Sequence, residues 1–265
     1  MPCILVGVLN ATPDSFSDGG RYPSLDDAVA AGVRMVDDGA AWIDVGGEST
    51  RPRSQPVPEA DEIARVIPIL TALRARLGDR ARLSIDTYKS GTARAALAAG
   101  ATVINDISGG LLDPAILGVA ADGGAAVVLG HLRGEPATMM DHIAFDDVVA
   151  EVGAELDARI AAARAAGVRE IWADPGIGFG KRVEHSLALL RALPGLVARW
   201  RVPVLVGVSR KSFIGHITGK PAPERAFGTA AAVAACVAGG ASAVRVHDVG
   251  EMQDVVRVAE ALKNA

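Results

Sequence analysis

Gly39-Ala40-Ala41-Trp42-Ile43-Asp44-Val45-Gly46-Gly47-Glu48-Ser49-Thr50-Arg51-Pro52 contains the unit whose repetition decides the fold. A glycine ends the preceding segment, a short apolar run follows, and polar residues close the run. Glycine after a helix takes the left-handed C′ conformation without a Cβ clash. The run is nearly continuous and does not alternate strictly, as expected of a parallel strand covered on both faces. The same junction recurs at Gly100-Ala101, Gly124-Ala125 and Gly240-Ala241, and Gly167 stands a little before Ile171.

Outward from this unit, eight apolar runs can be read: Ile4–Leu9, Trp42–Val45, Leu83–Ile85, Val103–Ile107, Ala125–Leu129, Ile171–Ala173, Val202–Val208 and Ala243–Val246. Ala-rich helical stretches lie between them. Eight such alternations predict an α/β protein with a single (β/α)8 TIM barrel, and 1–265 reads as one domain without a linker. A doubly wound open sheet is the alternative, and the lack of GxGxxG after the first run counts against it. Ser24 with Asp27 resembles a capping box ahead of the first helix. Phe145 to Ala166 reads as the longest helical stretch, and Pro56 and Pro58 as a polar loop before another helix.

The composition narrows the function classes. Half of the 265 residues are hydrophobic and the net charge is −4. A nucleic-acid binder would need a basic excess or stripe, so none is expected. Thr229 to Val244 is apolar but broken by Gly239, Gly240 and Ser242, and reads as helix, turn and strand rather than a membrane span. Cys3 and Cys236 lack metal or redox spacing and read as small buried residues in a reducing compartment. No basic stretch followed by an apolar segment opens the chain, so a cytoplasmic protein is expected.

Polar groups follow every run. They include Asn10; Asp44 and Thr50-Arg51-Pro52; Asp86; Asn105; His131; Asp174 with Phe179; Ser209-Arg210-Lys211-Ser212; and Arg245 with His247. In a barrel these ends converge on one mouth, where active sites lie. A single Asp after a strand is usually a helix cap. Here Asp44, Asp86, Asn105, Asp174, Lys211 and Arg245 lie inside or against apolar runs, where ionised groups need partners. A ligand that matches them explains the set.

The residue types describe that ligand. A carboxylate accepts two parallel N–H donors from an amidine-like heterocycle edge, and an amide reads a mixed edge. Asp86, Asn105, Asp174 and Lys211 provide this mixture, with Arg245 suited to stack on a ring. Asn10, Thr50, Arg51, Ser209, Arg210, Ser212, Arg245 and His247 are suited to phosphate or carboxylate oxygens. Ser212 is expected near a helix start, a natural anion site. Phe16, aromatic in a polar loop, is a candidate lid residue.

These segments together resemble the dihydropteroate synthase family over essentially the whole chain. The matching stretches are Gly7–Asn10 with Thr12–Gly20, Asp44–Pro52, Ser84–Thr87, Ile104–Asp106, Asp174–Lys181, Ser209–Phe213 and Arg245–Asp248. The resemblance implies a transferase of folate biosynthesis, a target of sulfonamides. It would condense 6-hydroxymethyl-7,8-dihydropterin diphosphate with p-aminobenzoate, giving 7,8-dihydropteroate and diphosphate with Mg2+. By matching position, Asp86, Asn105, Asp174, Phe179, Lys211 and Arg245 would bind the pterin. Asn10, Arg245 and His247 would hold the diphosphate, with Asn10 and Asp18 near the metal. Phe16, Thr50, Arg51, Pro52, Lys211 and Ser212 would form the p-aminobenzoate site. Lys211, Arg245 and His247 would carry catalysis, in a homodimer. One departure is visible: the family often has Met on both sides of the strand-five histidine, whereas Gly130 and Leu132 flank His131, which reads as a structural or rim residue. Two other readings stay open, a pterin-dependent methyltransferase on a similar barrel and a non-catalytic pterin-binding homologue.

Overall fold

Eight parallel strands form one sheet in a computed structural model that describes residues 2–11, 24–50, 53–141 and 143–264. The strands are β1 (Ile4–Asn10), β2 (Ala40–Gly46), β3 (Arg82–Asp86), β4 (Val103–Asp106), β5 (Ala126–Gly130), β6 (Ile171–Asp174), β7 (Leu205–Gly207) and β8 (Ala243–Val246). Their order is β6-β5-β4-β3-β2-β1-β8-β7. The sheet closes through a parallel bridge between Ala173 and Val204. The expected (β/α)8 barrel is therefore the observed fold. Strand seven is shorter than expected because Pro203 has no N–H to donate. Its carbonyl instead accepts from Ala173 N at 3.0 Å.

Helices α1 (Leu25–Asp37), α2 (Glu59–Leu77), α3 (Ser90–Ala98), α4 (Ala115–Asp122) and α5 (Val148–Ala165) connect β1 to β6. Helices α6 (Val183–Arg191), α7 (Leu193–Trp200), α8 (Ser212–Thr218), α9 (Ala226–Ala238) and α10 (Val249–Lys263) complete the ring. Ser24 caps α1 as expected, accepting from Asp27 N and donating to the Asp27 carboxylate. One helix expectation fails: α2, with 19 residues, is longer than α5, with 18. The Asp147 side chain accepts from Val149 N and Ala150 N, which starts α5 after Phe145 rather than at it. Helix α2 runs through Pro68, which is exposed. So is Ala64, whose carbonyl receives no N–H from Pro68. The glycines expected at helix ends have positive φ, as at Gly39 (104°) and Gly100 (102°).

Period two along each strand builds the barrel interior in layers. Val6, Trp42, Val103, Val128, Trp172 and Leu205 fill a lower, apolar layer, in which the Trp42 and Trp172 rings meet edge-on at 4.8 Å. Two residues further along come Asp44 above Trp42, Asn105 above Val103 and Asp174 above Trp172. Likewise Asp86 lies above Ser84, and Arg245 above Ala243. A dry floor thus carries a polar layer that opens toward the strand C-termini. No helix among the described residues is long and apolar enough to cross a membrane.

Candidate active site

Arg245 organises the polar layer. Its Nε donates to Asp44 Oδ2 at 2.6 Å and its Nη2 to Asp86 Oδ2 at 2.7 Å. Asn105 Nδ2 donates to the same Asp44 oxygen at 2.8 Å. Four strands, β2, β3, β4 and β8, are thereby tied into one hydrogen-bonded plate. Asp44 is 1% exposed, and its Oδ1 is buried without a hydrogen-bond partner among the described residues. An orphaned buried acceptor carries a desolvation cost that a donating ligand removes.

The neighbouring wall comes from the loop after β6. Asp174 Oδ1 accepts from Gly176 N at 2.8 Å, which aims the carboxylate. Phe179 turns its ring under Lys211, whose Nζ lies 3.9 Å from the ring centroid. Sequence reasoning singled out both residues, and only the tertiary structure stacks one on the other.

Burial sets the charge states. It pushes the Asp86 carboxyl up to about 7, with Arg245 pulling down and Asp44 pushing further up. Asp174 is likewise raised by burial, against the Gly176 hydrogen bond and the nearby Lys211. Burial lowers the Lys211 ammonium to about 8, while Asp174 pulls the other way. For Arg245, burial disfavours the cation, but Asp44 and Asp86 outweigh it and hold the guanidinium protonated. The mouth therefore holds a permanent cation at Arg245, with a carboxyl at Asp86 and an ammonium at Lys211 that both titrate near neutrality.

On the β7–β8 side, His247 Nδ1 lies 3.0 Å from Ser209 Oγ, which also accepts from His247 N at 3.2 Å. Ser209 is thus engaged by His247. Arg210, expected among the anion binders, is also directed elsewhere: its guanidinium makes a two-point pair with the Asp248 carboxylate, including Nε to Oδ2 at 2.9 Å. That pair satisfies its charge, so Arg210 serves the loop. Lys211 and exposed Ser212 begin α8 as expected. Asn10 ends β1 opposite Gly46, and half-buried Thr50 lies after β2. Phe16, Asp18, Arg51 and Pro52 lie outside the described residues.

Two elements of the site were under-read in the sequence. Asp44 stood out as a polar residue in an apolar run but received no role. Its place two residues after an inward Trp was the available signal. Lys181 closes the Asp174–Lys181 stretch, and the resemblance implies no role for it. It is 3% exposed, its Nζ donates to Phe179 O at 3.1 Å and His131 O at 3.2 Å, and it lies 2.9 Å from His131 Nδ1. Burial lowers Lys181 to about 7. His131 is fully buried between Lys181 and Glu155, with Nε2 3.0 Å from Glu155 Oε2, so it is a structural residue. The Gly130 departure has a steric basis: a Cβ there would lie 2.6 Å from Ile107 Cα. Leu132 packs with Ile107 and Met139, against Phe179.

A (β/α)8 barrel whose mouth joins carboxylates, an amide and cations over a dry floor defines a class of heterocycle-binding enzymes. The family described as pterin binding enzyme matches residues 6–247. The chain is 48% identical to the dihydropteroate synthase of a Synechocystis strain, covering 97% of this chain and 89% of that relative. It is 42% identical to the Escherichia coli K12 dihydropteroate synthase, over 98% and 92%. A Yersinia pestis dihydropteroate synthase solved with a sulfonamide drug superposes with a TM-score of 0.93 at 39% identity, covering 100% of this chain and 95% of that one. A Xanthomonas albilineans dihydropteroate synthase solved with 4-aminobenzoic acid gives a TM-score of 0.91 at 42% identity, over 100% and 94%.

The chain belongs to the pterin-binding enzymes and, within them, to the dihydropteroate synthases. It is a transferase that condenses 6-hydroxymethyl-7,8-dihydropterin diphosphate with p-aminobenzoate to give 7,8-dihydropteroate and diphosphate.

Proposed function

We propose that the two substrates divide the mouth between them. The pterin edge lies against Asp86, Asn105 and Asp174, with Arg245 on the ring face and Phe179 lining the pocket. Asn10, Arg245 and His247 receive the diphosphate. Thr50 and Ser212 frame the p-aminobenzoate site, joined by Phe16, Arg51 and Pro52, which lie outside the described residues. Lys211 stands where the substrates meet. The observation that carries this reading is the orphaned Asp44 Oδ1, buried beside the Arg245–Asp86–Asn105 plate. A pterin's amidine edge supplies donors of the kind this plate lacks.

The reacting carbon bears a good leaving group beside an electron-rich ring. Departure of diphosphate leaves a resonance-stabilised pterin-methyl cation, which Asp44, Asp86 and Asp174 favour electrostatically. Arg245 and His247 stabilise the leaving charge; the aniline nitrogen, positioned by the α8 turn, attacks the carbon and then releases one of its two protons to solvent or to the departing diphosphate. No covalent enzyme nucleophile is needed.

Mg2+ fits the donor set. Asn10 brings a hard amide oxygen to the mouth, and Mg2+ usually combines few protein ligands with water and substrate phosphate oxygens. Among the described residues, no three His, Cys, Asp or Glu side chains cluster into a cage. The chemistry that Mg2+ supplies when bound is neutralisation of the diphosphate charge. The chain is further read as one catalytic domain spanning 1–265, in a cytoplasmic homodimer that pairs through helices away from the mouth.

A diphosphate-release assay with both substrates, with and without Mg2+ and a sulfonamide, tests the reading. Release that requires p-aminobenzoate and is suppressed by the sulfonamide is expected. Lys211→Ala should cripple turnover and Asp174→Ala should abolish pterin binding by calorimetry; near-normal values for both would overturn the division of roles.

A further inference from the structure

The turn that presents Lys211 and Ser212 is held in a strained shape from outside. Arg210 has φ 58°, in the left-handed region. A residue with a Cβ persists there only where its surroundings enforce the conformation. The surroundings are visible. Asp248 clamps the Arg210 guanidinium, and Arg210 N donates to Thr229 Oγ1 at 3.0 Å. Arg225, the residue before α9, supplies the remaining hold. Its Nη1 donates to Arg210 O at 2.9 Å and to Lys211 O at 3.3 Å. Its Nε donates to Lys220 O at 2.8 Å, which fixes the fork from behind.

Helix α8 makes room for this fork. A Cβ on Gly215 would lie 2.0 Å from Arg225 Nη2 and 2.3 Å from Arg225 Cζ. Gly215 therefore lets the guanidinium lie across the helix and reach the turn. The carbonyl that Arg225 grips at Lys211 also accepts from Ile214 N at 3.1 Å, so the same contact sets where α8 begins. Rotation of this carbonyl would swing both the Lys211 side chain and the first N–H groups of α8.

We propose that Arg225 is a positioning residue for the synthase reaction. It touches neither substrate, but holds Lys211 and Ser212 in register through the left-handed turn at Arg210. The proposal rests on the reading that Lys211 and Ser212 stand where the substrates meet.

Arg225→Ala should raise the KM for p-aminobenzoate and lower kcat, together by on the order of 10- to 100-fold, the scale of an ångström-level misplacement. Added guanidinium ion should restore part of the loss by refilling the fork's place. Arg225→Lys should not, since an ammonium cannot reproduce the planar fork. Gly215→Ala should reproduce the kinetic defect with Arg225 still present, because the new Cβ evicts the guanidinium. Gly215→Ala also carries the test if Arg225→Ala does not fold. Parent kcat and KM in folded Arg225→Ala or in Gly215→Ala overturn the proposal, as does a loss that guanidinium does not relieve and Gly215→Ala does not share. Lys211→Ala separates the two layers. If it is inactive while Arg225→Ala matches the parent, only the positioning role falls; if it is fully active, the site reading beneath falls first.

Discussion

Arg245 on the last strand reaches Asp44 on the second, Nε to Oδ2 at 2.6 Å, across 201 residues of chain. Asn105 donates to the same oxygen, so one carboxylate sets the orientation of both the cation and the amide of the polar layer. Register explains the meeting. Strands β1, β2 and β8 are neighbours, and period two raises both residues above the apolar floor.

Asp44→Ala should therefore damage stability and turnover together. Removing one partner of a buried ion pair costs about 3–5 kcal/mol, less where the survivor keeps a second partner, as Arg245 keeps Asp86. Thermal unfolding should show a lowered Tm. Asp44→Asn, close in shape but uncharged, should fold and still lose turnover on the order of 100-fold, because Arg245 loses its anchor. Parent-like turnover in a folded Asp44→Asn contradicts the anchoring role.

Lys211 makes the alkaline side of the rate profile its own. Burial lowers its ammonium to about 8, so the cation is lost as pH rises through that value. The kcat/KM profile should fall above pH about 8. Lys211→Arg, which stays charged, should turn over more slowly yet show no such fall below pH about 10. An unchanged alkaline limb in Lys211→Arg assigns the limb to another group.

Asp86 makes a prediction on the acid side. Its carboxyl, raised to about 7 mainly by burial, is a mixture of neutral and ionised forms at neutral pH. An N–H-rich pterin edge favours the ionised form, so binding releases a proton and affinity weakens as pH falls below about 7. Calorimetry in two buffers of different ionisation enthalpy, near pH 7, measures the release. Asp86→Asn should abolish it, and the same release in that variant shows that the proton comes from elsewhere.

His131 ties the fold itself to pH. Burial, then the charges of Lys181, Arg159 and Arg133, lower the folded imidazole from 6.5 to about 2. Between those values the unfolded chain binds the extra proton. Stability from His131 is thus complete above pH 6.5 and drains away as pH falls toward 2, at up to about 1.4 kcal/mol per unit. Urea unfolding from pH 7 to pH 4 should show this loss, and His131→Gln should flatten the slope. A parallel slope in the variant removes His131 from the account.

Much of this protein was legible before any coordinates. The glycine junctions at 39, 100, 124, 167 and 240 and the eight apolar runs establish the barrel, because helix ends and buried parallel strands are local chemistry. Polar residues that interrupt those runs, such as Asp86, Asn105, Asp174 and Arg245, point to the mouth for the same reason. Pairing between them is not local. That Asp44 serves Arg245 and Asn105, that Lys211 rests on Phe179, and that Arg210 turns to Asp248 while Arg225 grips its carbonyl, all depend on strand order and on which rotamers the packed barrel leaves open. Sequence alone determined which groups stand at the mouth. Only the tertiary structure decided which of them spend their charge on each other and which remain for a ligand, because that division depends on distances of about 3 Å between residues up to 201 positions apart.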